Sequence, residues 1–130
     1  MLSKSVKDNK ELANFLKDYE RLSNNLNFDE VAPFIADDAV YWFSDGTHRG
    51  IGEIRRAFEK TWQHIQDEKY TIDNVEWLVN GTDHAVCIYQ FHSDGMVGGK
   101  HNRYSGRGTN IFKKMNGKWK IVHEHLSKMK

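Results

Sequence analysis

Leu12, Phe15, Leu16, Tyr19 and Leu22 recur at spacings of three and four. That is one apolar stripe of an amphipathic helix running from about residue 6 to residue 25. Asn24-Asn25 supplies its stop, and Asn27-Phe28-Asp29-Glu30 reads as an N-cap followed three residues later by a carboxylate. Pro33 keeps this second helical element short. After Asp37-Asp38, residues 39–43 (Ala-Val-Tyr-Trp-Phe) form a brief aromatic strand closed by the turn Ser44-Asp45-Gly46. A third helix starts near Gly50 or Gly52 and carries Ile51, Ile54, Phe58, Trp62 and Ile65 on one stripe.

From Glu68 onward the period changes from helix to strand. Four runs, over residues 70–80, 83–92, 103–114 and 118–127, are separated by Gly81, by a glycine-rich loop at 94–99 and by Asn116-Gly117. Asn-Gly between β-prone runs marks a two-residue hairpin, since both turn residues take φ > 0. Consecutive strands with short connections pair as an antiparallel meander. The chain is therefore expected to be a single α+β domain over residues 1–130: three N-terminal helices packed on a strongly curved, mainly antiparallel sheet. Gly106 and Gly108 share one face of a strand, where they let the sheet bend and leave volume above it for a pocket.

Composition narrows the function classes. The 130 residues carry a net charge of only +1, which argues against nucleic acid as a partner. Lys113, Lys114, Lys118 and Lys120 flank the hairpin turn and read as a solvated edge that discourages strand association. Nowhere do 18 apolar residues run together and the N-terminal residues are charged, so neither membrane nor secretory signal is expected and the expected location is cytoplasmic. The single cysteine, Cys87, lies in an apolar run and reads as a small hydrophobe.

Three positions interrupt this apolar pattern. Arg55 falls inside the stripe of the third helix and either snorkels to water or points into a wet cavity. Asn110 interrupts a strand face otherwise made of Gly106, Gly108 and Phe112. On the last strand, alternation places Trp119, Ile121, His123, His125 and Ser127 on one face and Lys120, Val122, Glu124 and Leu126 on the other. His123 and His125 leave their face about 6.6 Å apart, but no third ligand stands at recognisable spacing, so no metal is expected. Alternation alone leaves open which face looks inward, and Glu124 and His125 both stay candidates.

The order helix, short helix, aromatic strand, helix and four-strand meander resembles the nuclear transport factor 2-like superfamily of cone-shaped domains. Within it the chain is similar to the SnoaL-like group and, more distantly, to the association domain of calcium/calmodulin-dependent protein kinase II. The resemblance spans about residues 8 to 128. It rests on Asn27-Phe28-Asp29, Asp38-Ala39-Val40, the helix from Gly50 to Trp62, and Asn116-Gly117-Lys118-Trp119 followed by His123-Glu124-His125-Leu126-Ser127. It implies a cone lined by Tyr19 from the first helix, with Tyr41 or Trp42 and Tyr89 near it. The aspartates of family ketosteroid isomerases have no clear counterpart. The arginine cluster of the kinase association domain falls on Phe91, Asn110 and Leu126, and that domain's helix histidine falls on Arg55.

The expected site follows. Arg55 and Asn110 face a common cavity walled by Trp42, Phe58, Tyr89 and Phe112, with Tyr19 near its opening. Three function classes stay open: a small-molecule-binding domain, an acid–base enzyme (isomerase, cyclase or dehydratase) on a small organic substrate, and an oligomerisation module without a ligand. The first is the primary expectation, with a carboxylate among the candidate ligands, no cofactor, and homodimerisation through the sheet face that the helices leave bare.

Overall fold

The computed structural model describes residues 2–129, with side chains from residue 10 onward. Helix α1 (Leu2–Ser23) buries Leu12, Leu16, Tyr19 and Ser23 along one side. Helix α2 (Phe28–Val31) is capped by Asn27, whose side chain accepts from the Asp29 amide, and Pro33 sits in the single 3-10 turn that follows (Ala32–Phe34). Strand β1 (Ile35–Phe43) turns into a short β2 (Gly46–Arg49), and α3 spans Gly50–His64. Strands β3 (Gln66–Asn80), β4 (His84–Val97), β5 (Lys100–Met115) and β6 (Lys118–Lys128) complete the chain.

The six strands form one mixed sheet in the order β2-β1-β6-β5-β4-β3. The meander and the helix-on-sheet α+β architecture agree with the sequence reading. Two features differ from it. Residues after Ser44-Asp45-Gly46 form β2, an edge strand too short to carry an alternation signal, and β1 lies parallel to β6. Gly95 lies within β4, and the turn between β4 and β5 is Gly98-Gly99, both at positive φ.

Strand β3 is the other edge, and α1 closes part of it. Asn24 mimics a strand: its amide accepts from the Tyr70 N–H at 2.7 Å and donates to the Tyr70 carbonyl at 2.9 Å. Glu20 accepts from the Ile72 N–H at 2.5 Å. Backbone groups that an edge leaves open are thereby paired.

The floor of the sheet depends on glycines. A Cβ at Gly106 would stand 2.3 Å from the Phe91 ring, and one at Gly108 would stand 2.3 Å from the Tyr89 ring. The volume above these glycines is filled by the two rings rather than left as the cavity. Register places Tyr89 opposite Gly108 and Phe91 opposite Gly106, so each bulky side chain lies across a residue with none.

The most consequential irregularity lies in β6. Ile111 pairs with His123, yet Phe112 pairs with Ile121, so Val122 is an extra residue bulging out of the ladder. A bulge reverses the side-chain alternation beyond it. Trp119 and Ile121 are buried before it, and Glu124 is buried after it. The unbroken alternation read from sequence, which kept Ile121, His123 and His125 together, is therefore corrected.

Candidate active site

Glu124 is 2% exposed and sits on the inner face beside Asn110, its register partner on β5. Its Oε1 accepts two hydrogen bonds, from the Tyr19 hydroxyl and from the Asn110 Nδ2, each at 3.1 Å. Behind them stand two further hydroxyls. Tyr41 is 2.9 Å from the Tyr19 oxygen, and with Tyr19 donating to Glu124 the Tyr41 hydroxyl is the donor in that pair. The Tyr89 hydroxyl donates to Asn110 Oδ1 at 2.8 Å, which fixes the amide with its Nδ2 toward the carboxylate. Both of those Glu124 bonds fall on Oε1.

Burial decides the state of this carboxyl. Loss of hydration pushes its pKa up to about 7, and the donors Asn110, Tyr19 and Tyr89 pull less strongly the other way. The tyrosines respond in the same sense. Tyr19, Tyr41, Tyr70 and Tyr89 are all raised well above their ordinary value, first by burial and then by the neighbouring Glu124. They remain neutral hydroxyls. Burial also pushes the Cys87 thiol up to about 12, which fits its reading as a small hydrophobe and not as a nucleophile.

Glu124 and Tyr19 line a cavity of about 340 Å³. Its walls are Phe43, Phe58, Trp62, Ile65, Tyr70, Phe91, Tyr104 and Leu126, and exposed Asp45, Lys60, His64 and Lys128 border it toward solvent. A second carboxylate, Glu68 of β3, lies on the wall and accepts from Ser93 Oγ at 2.5 Å. Burial raises its pKa, partly offset by that hydrogen bond.

Of the residues expected at the site, Tyr19, Phe58 and Glu124 line the cavity. Asn110 and Tyr89 stand one bond behind, as supports of Glu124. Phe112 is fully buried in the core, edge-on to Phe15 and tilted on Trp77, away from the cavity. That placement corrects the expectation of Phe112 as a cavity wall, and three further expectations are corrected. Trp42 is 45% exposed on the opposite sheet face, where it meets the rings of His123 and His125 at 5.0 and 5.5 Å. His125 is exposed there because the bulge turns it outward. Arg55 lies over the Phe28 ring, paired with Asp29 and with Glu59, its side chain 41% exposed. It does not share a cavity with Asn110: one turn of α3 carries it past the apolar stripe to the surface.

Sequence reasoning missed Glu68, Tyr70 and Tyr104. The signal for Glu68 and Tyr70 was present in the alternation of Glu68, Tyr70 and Ile72 along β3, which needed only the right start for that strand, whereas Tyr104 lies on β5. Among the described residues no three His, Cys, Asp or Glu side chains are grouped to hold a metal ion, and no helix is long and apolar enough to cross a membrane.

This geometry can now be set beside known proteins. The sequence matches the SnoaL-like domain over residues 12–130, and the chain belongs to that family. No curated protein matches it. Among solved structures it is similar to a candidate calcium/calmodulin dependent protein kinase II association domain from Xanthomonas campestris, at 24% identity and a TM-score of 0.80, covering 92% of this chain and 86% of that one. It is similar to a nuclear transport factor 2-like superfamily protein from Salmonella enterica serovar Typhimurium, at 17% identity and a TM-score of 0.85, covering 96% and 93%. It is also similar to a candidate scytalone dehydratase from Novosphingobium aromaticivorans, at 12% identity and a TM-score of 0.87, covering 100% and 89%. Identities this low show the shared nuclear transport factor 2-like fold and leave activity to the site itself.

Proposed function

We propose that the domain binds a small, largely apolar ring compound in its cone and moves a proton on it through Glu124. The observation that carries this reading is a carboxyl held at the inner end of an aromatic cavity, poised near neutrality at about 7. A general base works best when its pKa lies near the working pH, and burial is a standard means of raising a carboxyl there. The Glu124 carboxylate takes the proton from a carbon beside a carbonyl, leaving an enolate and a neutral carboxylic acid. The acid then returns a proton to the same or a neighbouring carbon. Tyr19 and Asn110 hold Oε1 in place throughout, so no side chain moves during the transfer. This chemistry is that of an isomerase, cyclase or dehydratase.

Deuterium exchange into cyclic ketones, followed by NMR, tests the reading. The wild-type chain should catalyse exchange at the carbon beside the carbonyl, and Glu124→Gln should slow it by about 10²–10⁴ while ligand quenching of Trp62 fluorescence persists. Equal rates in the two proteins would sink the proposal, as would a wild type that exchanges nothing.

Homodimerisation through the outer sheet face is a second proposal. Register lines up Val79, Val86, Ile111, His123 and Val40 across five strands, and beside this row Ile88, Thr109, His125 and Trp42 form another. Val79, Ile111 and Trp42 are exposed there. Two mostly apolar rows, broken by His123, Thr109 and His125, on a face the helices leave bare fit a self-complementary interface. Sedimentation should give a dimer at micromolar concentration and a monomer for Ile111→Lys; a wild-type monomer would contradict it.

A further inference from the structure

The charge inside the cavity has one sign. Its borders carry both acids and bases, but the two ionisable groups drawn into its wall and inner end, tyrosines aside, are Glu68 and Glu124. Glu124 is held by its own donors. Glu68 is in a different position: the hydrogen bond to its carboxylate comes from Ser93 Oγ, a neutral donor, and no Lys, Arg or His lies within ion-pair distance of it among the described residues. A partly buried carboxylate without a cation is costly, so a ligand cation beside it has a gain to collect.

The rings around Glu68 point the same way. Tyr70 stacks on Phe91 with centroids 5.9 Å apart, and Phe91 meets Tyr104 edge-on at 6.1 Å. All three line the cavity with Glu68. Electron-rich faces beside a carboxylate are the combination that recognises an ammonium group. The chain itself supplies an example, because the ammonium of Lys128 lies over the Tyr104 ring at 4.4 Å. Lys128 ends the last strand and is exposed, so it can swing away and leave that face to a ligand.

We infer that this wall takes a protonated amine: the ligand is an apolar ring compound whose ammonium rests against Glu68 among Tyr70, Phe91 and Tyr104. This rests on the reading of the cone as a small-molecule site and adds the chemical class of its occupant. It also replaces the expected carboxylate. That expectation depended on Arg55, which lies outside the cavity, and an anion inside would face two acids. In the combined picture the amine holds one end of the ligand while Glu124 works on the other. Register supports the separation: Glu124 aligns with Asn110 and Cys87, while Ser93, which holds Glu68, is six residues further along β4.

Calorimetric titration of the whole chain at neutral pH with phenethylamine, phenethyl alcohol and phenylacetate tests this. The three probes share one ring and differ in their polar end. The amine should bind at least about tenfold more tightly than the alcohol, and phenylacetate most weakly. Glu68→Gln should abolish the amine's advantage over the alcohol. Lys128→Ala, an exposed change that threatens no core contact, should strengthen amine binding by removing the internal competitor. Alcohol and amine binding equally would overturn the amine assignment and leave the cavity reading standing. An advantage that survives in Glu68→Gln would also overturn it. Failure of all three probes to bind would remove both the inference and the small-molecule reading beneath it.

Discussion

Replacing Glu124 by Gln should make this protein more stable at alkaline pH and no more stable in acid. In the folded chain the carboxyl titrates near 7, against an ordinary value of 4.5. Between those two pH values the folded state therefore holds more protons than the unfolded one, and stability must fall as pH rises through the window. The stabilisation belongs to the protonated form. It is complete below about pH 4.5 and gone above about pH 7. A gap of roughly two and a half units corresponds to about 3 kcal/mol as an upper bound. Gln keeps the shape, and its carbonyl oxygen can accept from Tyr19 and Asn110 as Glu124 Oε1 does, but it never ionises. At about pH 8 the variant should thus gain up to about 3 kcal/mol, or roughly 10 °C in melting temperature for a chain of this length. At about pH 4 the two proteins should melt together. Urea denaturation across this range measures both. Glu68 adds a slope of the same sign, so the test is the difference between the two proteins and not the slope of either. A variant that is destabilised at alkaline pH, or a difference that does not change with pH, would refute the reasoning. A gain in stability together with lost activity is what a strained catalytic group produces when it is neutralised.

Two further changes probe the frame that holds Glu124. Gly108→Ala places a methyl 2.3 Å from the Tyr89 ring, so the ring must shift at a cost of about 1–3 kcal/mol; its bond to Asn110 should loosen, and urea denaturation with unchanged stability would show that the ring is not held there. The bulge at Val122 is tested by a pair of changes. Ile121→Asp buries an unpaired charge and should abolish the cooperative melt, since more than about 4 kcal/mol exceeds what many domains can lose. His125→Asp, on the outer face, should fall within about 1 kcal/mol of its parent when both are made in the monomeric Ile111→Lys background. Equal damage from both by circular dichroism would restore the unbroken alternation and turn Glu124 outward.

The legible parts of this chain are those whose signals are local. Helical stripes at three and four, the Asn27 cap, Pro33 after it and the Asn116-Gly117 hairpin each rest on chemistry within a few residues. All of them appear in the fold. The parallel pairing of β1 with β6 depends on partners about 80 residues apart along the chain, which no local pattern encodes, and the edge strand β2, paired locally with β1, is too short to carry an alternation signal. The site divides along the same line. Tyr19 was a candidate through the family resemblance, Phe58 through the apolar stripe of the third helix, Glu124 through its place among the ionisable residues of the last strand, and Asn110 because a polar residue interrupted an apolar face. Arg55 interrupted such a face too, yet its partners are Asp29 and Glu59, so interruption alone does not separate a buried polar group from one that has rotated to the surface.

What decides the chemistry is a single unpaired residue. Without the extra residue at Val122, His123 and His125 would follow Ile121 inward, and Glu124 would face the outer sheet beside solvent. Ile121, Val122 and His123 are all ordinary strand residues, with none of the glycine or asparagine cues that mark many bulges. The ladder alone reveals it, through the shift between Ile111 with His123 and Phe112 with Ile121. The same shift puts Glu124 opposite Asn110, and only a carboxylate in that position can be held by Asn110 and Tyr19 while burial raises its pKa to near neutrality. The Glu124 reading and the fold reading are thus one claim about β6, and the paired substitutions at Ile121 and His125 test both at once.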